Sequence, residues 1–246
     1  MSPSLPVSGP AGESLRSPAR RTLLAWSSGK DSAWTLHVMR EAARRDPSAP
    51  EVVGLLTTVN ATHERVAMHA VRRTLLAAQA AAAGLPLLEV NIPWPCSNAE
   101  YERAMGAAME RARAEGIAHV AFGDLFLADI RRYREEKLAG TGLSPLFPLW
   151  GRPTAALAQE MLAGGLVAHL TAVDPRQVPG TLAGRRWDAA LIADLPPSAD
   201  PCGENGEFHT FVSAGPMFSA PIGVRVGEVV ERDGFVFADV LAGDAS

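Results

Sequence analysis

Short apolar runs rich in β-branched residues alternate with amphipathic stretches along the first 140 residues of the chain. Short apolar runs are typical of buried strands, whereas apolar positions repeated every three or four residues indicate helices that bury one face. The predicted strands are Leu23–Trp26, Val52–Thr58, Leu87–Ile92 and His119–Phe122. The predicted helices are Ser32–Arg45, a stripe of Met68, Val71, Leu75, Ala78 and Ala82 ending at Gly84, Asn98–Gly116, and one that follows Asp124 towards Gly140.

Strand and helix thus alternate four times with short connections. This pattern predicts an α/β fold, a Rossmann-like parallel sheet with helices on both faces. Ligands of such sheets bind outside the carboxyl ends of the strands. Three polar turns fall at that edge: the loop that begins at Ser27, the turn Thr58–Asn60, and the pair Gly123–Asp124. We therefore expect one ligand site to which all three turns contribute.

The composition changes near Leu143, where prolines and aromatic residues become frequent. The remaining residues combine a helix with short strands, and Asp233–Gly234 between two apolar runs is a strong hairpin signal. The sequence therefore predicts three parts. These are a disordered tail over residues 1–20, an α/β domain over residues 21–140, and a smaller α+β domain over residues 141–246.

The bulk composition limits the classes of function. A formal net charge of −4 at pH 7 argues against a broad nucleic-acid-binding surface. The two cysteines, Cys96 and Cys202, form no disulfide framework and favour a reducing compartment. No run approaches the ~18 apolar residues that a membrane span requires. We expect a cytoplasmic protein without a membrane partner.

The segment Leu23–Trp34 carries the strongest indication of a ligand. An apolar strand leads into Ser27–Gly29, and a helix follows at once. Small residues let the backbone approach a ligand closely, and a helix N-terminus together with Lys30 favours a polyanion. Asp31 or Ser32 is expected to cap the helix. The Walker A spacing is absent, and an ordinary Ser/Gly turn is the competing interpretation.

A second polar cluster lies in residues 202–210, where Glu204, Asn205, Glu207 and His209 fall within six positions. If Asn205 and the glycine after it form a turn, Glu207 and His209 share one face of an extended strand. Such a face can bind an ammonium group, orient a substrate or hold a metal. A solvated Asn-Gly turn is the competing interpretation, and for an isolated stretch it is favoured.

A third cluster follows the fourth predicted strand. Gly123 permits a close backbone approach, and Asp124 can cap a helix or accept a hydroxyl or a metal-bound water. Arg131, Tyr133 and Arg134 lie on the next helix, where an arginine can face a phosphate or a carboxylate. A solvated helix face with internal ion pairs is the alternative.

Together these stretches resemble the diphthine–ammonia ligase family, whose bacterial and archaeal relatives are PP-loop ATP-binding proteins. The motifs that carry the resemblance are Ser27–Ser32, Glu64–Val66 with His69, Phe122–Asp124 with Arg131–Glu135, Pro145–Trp150, and Cys202–Val212. They extend over roughly Thr22–Phe218. The string Gly203–Phe211 is specific to the family, whereas many ATP pyrophosphatases share the loop. The resemblance implies a sheet of the HUP or PP-loop type.

The resemblance also implies ATP-dependent amidation. A substrate carboxylate attacks the α-phosphate of ATP, pyrophosphate leaves, and ammonia then displaces AMP from the acyl-adenylate. ATP and Mg²⁺ are the implied cofactors. The implied partners are ammonia and a carboxylate carried by a small molecule or a protein, and a homodimer is left open.

The family's functional positions map onto this chain through those motifs. The implied ATP contacts are Ser27, Ser28, Gly29, Lys30, Asp31, Ser32, Gly123 and Asp124. Thr58 and Asn60 are added as ATP contacts because their turn falls at the same edge of the sheet. The implied catalytic residues are Lys30, Asp31, Glu204, Glu207 and His209. The implied substrate-binding residues are Arg131, Tyr133, Arg134, Glu204, Asn205, Glu207 and His209. The candidate Mg²⁺ ligands are Asp31 and Asp124.

The chain departs from the family in two respects. Ser28 stands where the family commonly has glycine, so we expect its backbone to avoid positive φ. The abundance of alanine and arginine suggests a GC-rich bacterial source, in which elongation-factor diphthine would not be the substrate.

Three other functions stay open at this point. A PP-loop RNA-modifying enzyme, such as a thiolase or a lysidine-type ligase, fits the loop, although the missing cysteine pair and basic tract count against it. A nucleotide-binding sensor without turnover fits the sheet but gives no reason for the second polar cluster. A metal-dependent hydrolase would be built on residues 204–209.

Overall fold

A computed structural model describes residues 20–60, 65–66, 71–93 and 95–243. Its helices in that part of the chain are α1 (Lys30–Arg45), α2 (Arg73–Ala83), α3 (Asn98–Ala114), α4 (Ala128–Leu138), α5 (Thr154–Ala163) and α6 (Ala189–Ala193). Its strands are β1 (Arg21–Ala25), β2 (Glu51–Asn60), β3 (Arg65–Val66), β4 (Leu87–Ile92), β5 (His119–Ala121), β6 (Ser144–Leu146), β7 (Val167–Val173), β8 (Arg186–Trp187), β9 (Phe208–Ala214), β10 (Val224–Arg232) and β11 (Phe235–Ala242). The predicted tail lies outside the described residues except for Arg20.

The first sheet is the Rossmann-like sheet that the sequence predicts. Five strands run parallel in the order β4-β2-β1-β5-β6, and the short β3 pairs antiparallel with the end of β2. On β1, Leu24 pairs with Leu55 on one side and with Ala121 on the other. The strand order reverses between β1 and β5, and ligands of such sheets bind at the carboxyl ends beside that reversal.

The second sheet is antiparallel and lies in the C-terminal part of the chain. Its order is β10-β11-β7-β8, and β9 also pairs with β7. Asp233 and Gly234 join β10 to β11 with φ values of 53° and 78°. Positive φ at both positions is characteristic of a type I′ hairpin turn. The mixed C-terminal architecture is therefore confirmed, while the boundary at residue 140 stays a prediction.

Two helix assignments differ in detail from the sequence pattern. Helix α2 begins at Arg73, and its buried residues are Leu75, Leu76, Gln79, Ala80 and Ala83. The predicted stripe through Ala78 and Ala82 is therefore rotated by one position, and Met68 lies outside the described residues. Helix α3 ends at Ala114 rather than at Gly116, and at its start Ser97 is the N-cap and forms a capping box with Glu100.

One apolar core joins the two sheets. The same cluster of buried residues contains Leu24, Trp34 and Leu55 from the first half and Trp187 and Phe211 from the second. Strand β9 lies against the start of α1, so the segment that precedes β9 is brought to the carboxyl ends of β1 and β5. Among the described residues, no helix is long and apolar enough to cross a membrane.

Candidate functional site

A cavity of about 470 Å³ lies at the carboxyl ends of β1 and β5. This size falls within the range of small-molecule sites. Its apolar lining includes Leu56, Met105, Met109, Val120, Phe122 and Leu138. Its polar lining includes Ser27, Lys30, Asp31, Thr58, Glu204, His209 and Thr210. The cavity thus offers apolar and charged walls in one space, as an amphipathic ligand such as a nucleotide requires.

Serine side chains brace the loop between β1 and α1. Ser27 Oγ accepts from the Gly29 N–H at 3.3 Å and lies 3.1 Å from Ser32 Oγ, which donates to the Gly29 carbonyl at 3.0 Å. Gly29 is the N-cap and has no side chain to cap the helix. The first helical N–H, that of Lys30, instead donates to Thr210 Oγ1 at 3.1 Å. The expectation that Asp31 or Ser32 caps α1 was therefore wrong.

Ser28 adopts the conformation that the sequence argument excluded. Its φ is 70°, in the left-handed region where glycine is favoured. The residue is fully buried, and its carbonyl accepts from Gln79 Nε2 and from the Val212 N–H, each at 3.0 Å. Tertiary hydrogen bonds thus hold a backbone conformation that glycine would adopt without strain. The Ser28 hydroxyl has no hydrogen-bond partner among the described residues.

Lys30 and Asp31 form an ion pair at the wall of the cavity, with 2.8 Å between Nζ and Oδ2; the lysine is buried and the aspartate is half-buried. Burial acts to lower the pKa of Lys30, but the charge of Asp31 and of other nearby acidic groups outweighs it, so the pKa is raised. Burial raises the pKa of Asp31 against the opposing effect of Lys30. The lysine therefore stays cationic inside the site, with the Trp187 and Phe208 rings at 5.9 and 5.7 Å from Nζ.

The turn after β5 packs directly on the first turn of α1. A Cβ at Gly123 would lie 2.9 Å from the Asp31 carbonyl carbon and 3.0 Å from the Ser32 nitrogen, so only glycine fits. Both carboxylate oxygens of Asp124 accept from Arg134, at 2.5 Å from Nε and 3.1 Å from Nη2. Asp124 therefore does not cap α4, whose N-cap is Leu127.

Glu204 reaches from the C-terminal half across to the turn after β5. Its Oε1 accepts from the Leu125 N–H at 2.7 Å and from the Phe126 N–H at 3.4 Å. Burial raises the Glu204 pKa to about 7, and these backbone donors oppose the shift only in part. A carboxyl group that lines a cavity with this pKa exchanges its proton near neutral pH.

His209 lines the same cavity on β9. Burial lowers its pKa to about 4, and the nearby charge of Lys30 acts in the same direction. The imidazole is therefore neutral at physiological pH, and it offers one nitrogen as a donor and the other as an acceptor.

Glu207 does not line the cavity, in contrast to the prediction that it faces the same space as His209. Its Oε1 accepts from the Asp200 N–H at 2.8 Å and from Asn205 Nδ2 at 3.0 Å, while its Oε2 is buried without a partner among the described residues. Asp200 in turn accepts from the Glu204 N–H at 2.9 Å. Glu207 and Asn205 thus hold the turn that presents Glu204.

The comparisons with known proteins agree with the motifs. Residues 154–238, which include β7, β8, β9 and β10, match the family model described as the diphthamide synthase C-terminal domain. The diphthine–ammonia ligases of Rattus norvegicus and Bos taurus are each 31% identical to this chain over 137 residues, and that of Homo sapiens is 30% identical over 137 residues. The predicted resemblance to the diphthine–ammonia ligases is confirmed. Each alignment covers 53% of this chain and 50% of the relative. The chain therefore spans about half the length of the curated relatives it matches.

The site residues predicted from the sequence fall into two groups. Those that line the cavity are Ser27, Gly29, Lys30, Asp31, Ser32, Thr58, Gly123, Asp124, Tyr133, Arg134, Glu204 and His209. Those that do not are Ser28, Arg131, Asn205 and Glu207. Arg131 instead lies 4.8 Å from the ring centres of both Phe147 and Trp150 and pairs with Glu135. The side chain of Asn60, like Glu64 and His69, lies outside the described part of the chain.

Two residues of the site were missed by sequence reasoning. Thr210 lies within the string Gly203–Phe211, but the sequence indicates no role for it, although its hydroxyl caps α1. Gln79 has no place in the motifs, yet it is fully buried beneath the loop. The sequence does contain an indication for Gln79. It is the polar residue on the buried face of α2, where the other buried residues are leucine and alanine.

A Mg²⁺ site is only partly matched by the side chains. Asp31 lines the cavity, and its Oδ1 is buried without a partner in the described part of the chain, so it fits as one ligand. Asp124 does not fit, because Arg134 occupies both of its oxygens. Among the described residues, no three His, Cys, Asp or Glu side chains are grouped to hold a metal ion.

Proposed function

We propose that the chain is an AMP-forming, ATP-dependent amide ligase. A substrate carboxylate attacks the α-phosphate of ATP and releases pyrophosphate, and ammonia then attacks the acyl carbon of the adenylate and releases AMP. The observation that carries this proposal is the meeting of the Ser27–Ser32 loop with the Gly203–Thr210 segment in one cavity. The similarity to diphthine–ammonia ligases supports it over half the chain.

The loop side of the cavity suits the phosphates. The N-terminus of α1 and the positive charge of Lys30 lie together at the wall, and both favour an anion. In the adenylation step these fixed groups would stabilise the charge that develops on the departing pyrophosphate. Because Lys30 is already held by Asp31, it needs little reorganisation to do so.

Mg²⁺, when bound, would neutralise phosphate charge and orient the phosphates for attack. Asp31 is the residue of this chain that would hold it, through the oxygen that Lys30 does not occupy. We assign a structural role to Asp124, because its bidentate pair with Arg134 fixes α4 beside the cavity.

The C-terminal side of the cavity suits the ammonia. Ammonium must lose a proton before its nitrogen can attack, and the Glu204 carboxylate, with a pKa of about 7, is matched to take that proton near neutral pH. The neutral His209 would orient the nucleophile or the acyl oxygen by hydrogen bonding. A second proton leaves the adduct as AMP departs, so the acyl-adenylate and ammonium give the amide, AMP as its dianion and two protons.

The substrate is expected to enter past α4. Tyr133 and Arg134 both line the cavity, and Tyr133 is 41% exposed, which marks where the cavity opens to solvent. A carboxylate substrate would pass the Arg134 guanidinium there. We leave Arg131 out of the substrate site and assign it to anchoring α4 on Phe147 and Trp150.

The test is product analysis with Mg-ATP, ammonium and a panel of carboxylate metabolites and peptides. We expect AMP, pyrophosphate and amide in equal amounts from the wild type, and at least a hundredfold less from Lys30→Met and Glu204→Gln, as removal of one stabilising group commonly causes (roughly 10²–10³ in rate). Glu110→Gln, on the exposed face of α3, is the control and should match the wild type. Release of ADP and phosphate instead would contradict the proposal, and bound ATP without turnover would favour a sensor.

A further inference from the structure

Gln79 is a polar residue in an apolar setting. It lies on the buried face of α2 beside Leu75, Leu76, Ala80 and Ala83, and it is 0% exposed. Burial of an amide is unfavourable unless its hydrogen bonds are satisfied. A methionine or leucine would fill the same space without that cost. The hydrogen bonds of the amide must therefore offset the cost of burying it.

The Gln79 amide binds three backbone or side-chain groups from two distant segments. Its Oε1 accepts from the Trp26 indole N–H at 2.9 Å, and its Nε2 donates to the Ser28 carbonyl at 3.0 Å. The same Nε2 donates to the Val212 carbonyl at 2.7 Å. One side chain thus connects both sides of the loop after β1 with the strand β9 that carries His209.

The contact with Ser28 has a specific geometric consequence. An L-residue at φ 70° is strained, so some interaction must hold it there. The Ser28 carbonyl accepts from Gln79 and from the Val212 N–H, and two donors on one oxygen fix the plane of the peptide between Ser28 and Gly29. That peptide carries the Gly29 N–H, at the N-cap of α1 where the phosphates are proposed to bind.

We propose that Gln79 is a positioning residue that holds the loop after β1 in its left-handed, phosphate-binding conformation and couples it to β9. The expected effect of Gln79 on ATP binding rests on the proposed function. Its expected effect on the conformation of the loop does not. Gln79 does not line the cavity itself and acts through the Ser28 peptide.

The test compares Gln79→Met, Ser28→Gly and the double variant. Glycine adopts positive φ without strain, so it should make the Gln79 contact partly unnecessary. We expect Gln79→Met to weaken the binding of Mg²⁺ and α,β-methylene-ATP by about tenfold, the order of one to two lost hydrogen bonds. In the Ser28→Gly background the same change should weaken it by less than about threefold. Gln159→Met, at an exposed glutamine of α5, is the matched control.

A purely structural role for Gln79 predicts a different result. A packing defect would weaken binding equally in the Ser28 and Gly backgrounds, and equal losses therefore overturn the proposal. Unchanged affinity in Gln79→Met overturns it as well. If Gln79→Met does not fold, Gln79→Asn keeps a neutral amide but is one methylene shorter, so that it cannot keep all three hydrogen bonds, and it replaces Gln79→Met in the comparison.

Hydrogen exchange separates this inference from the proposed function. In the ligand-free protein, amides of residues 26–32 and 208–214 should exchange faster in Gln79→Met than in the wild type, and the double variant should restore their protection. Unchanged exchange contradicts the positioning role whether or not ATP binds. If the variants show the expected differences in exchange but the wild type binds no ATP, the proposed function is overturned. The role of Gln79 in holding the conformation of the loop is then still supported.

Discussion

The Lys30 N–H donates to the Thr210 hydroxyl at 3.1 Å, although the two residues are 180 positions apart in the chain. Helix N-caps are usually supplied by the residue just before the helix, and here that residue is Gly29, which has no side chain. Strand β9 therefore completes the helix terminus at which the phosphates are proposed to bind. The C-terminal half contributes to the nucleotide loop itself and not only to the opposite wall.

Thr210→Val should remove this cap while keeping the shape of the side chain. We expect a loss of about 1 kcal/mol in the free energy of unfolding, because the Lys30 N–H is left buried without an acceptor. Binding of Mg-ATP should weaken as well. Urea denaturation and calorimetric titration measure the two effects. Thr210→Ser, which retains the hydroxyl, should behave like the wild type. A loss in Thr210→Ser with none in Thr210→Val would show that the methyl group matters instead.

The raised pKa of Glu204 predicts a pH dependence of stability. The carboxyl group binds its proton more tightly in the folded chain, with a pKa of about 7 against a usual value of 4.5. Its stabilising contribution is therefore complete below pH 4.5 and is lost as the pH rises towards 7. The difference in free energy of unfolding between the wild type and Glu204→Gln, measured in urea from pH 4.5 to 8, should fall along that interval. A constant difference would show that Glu204 has an ordinary pKa.

His209 should behave in the opposite sense. Its pKa of about 4 lies below the usual 6.5, so the unfolded chain binds the proton more tightly than the folded one. The contribution of His209 to stability is present above pH 6.5 and is lost as the pH falls towards 4. In a proton NMR titration, the hydrogen on Cε1 of His209 should keep the chemical shift of a neutral imidazole until the pH approaches 4. A midpoint near 6.5 would mean that the imidazole is solvated.

Gly123→Ala tests the packing of the β5 turn on α1. The added Cβ would lie 2.9 Å from the Asp31 carbonyl carbon, a backbone atom that cannot move aside without shifting the helix. We expect a loss of about 1–3 kcal/mol in the free energy of unfolding. Gly106→Ala is the control, because that position in α3 has open space for a Cβ and alanine favours helix, so stability should rise by up to about 1 kcal/mol. Similar stabilities for the two variants would contradict the close approach.

The fold was predictable because its signals are local. The apolar runs around Leu24 and Leu55 mark strands, and the alternation with helices fixes a parallel sheet whose carboxyl edge holds the polar turns. The string that contains Glu204 and His209 was likewise recognised as the second half of the site, and the structure brings both to the cavity. The strands and the sheet needed only patterns along the chain, whereas the role of the string depended on the resemblance to the diphthine–ammonia ligases.

The errors concern side-chain and backbone contacts that patterns along the chain do not reveal. The backbone of Ser28 is set by donors from Gln79 and Val212, which no local pattern links to the loop. Asp124 was expected to hold a metal, but Arg134, in the second turn of α4, takes both oxygens. Glu207 turns back onto Asp200 because the preceding turn buries it, which alternation along a strand does not reveal.

The central claim is that a carboxylate is activated at the α-phosphate of ATP in this cavity. The most direct measurement follows oxygen-18 from a labelled carboxylate substrate, identified by product analysis, into the phosphorus-containing products by mass spectrometry. We predict one labelled oxygen in AMP, because the attacking carboxylate oxygen stays on the α-phosphorus when ammonia displaces AMP from the acyl carbon. Label in inorganic phosphate would show activation at the γ-phosphate, and unlabelled AMP would show hydrolysis without an acyl-adenylate. Either result would contradict the account.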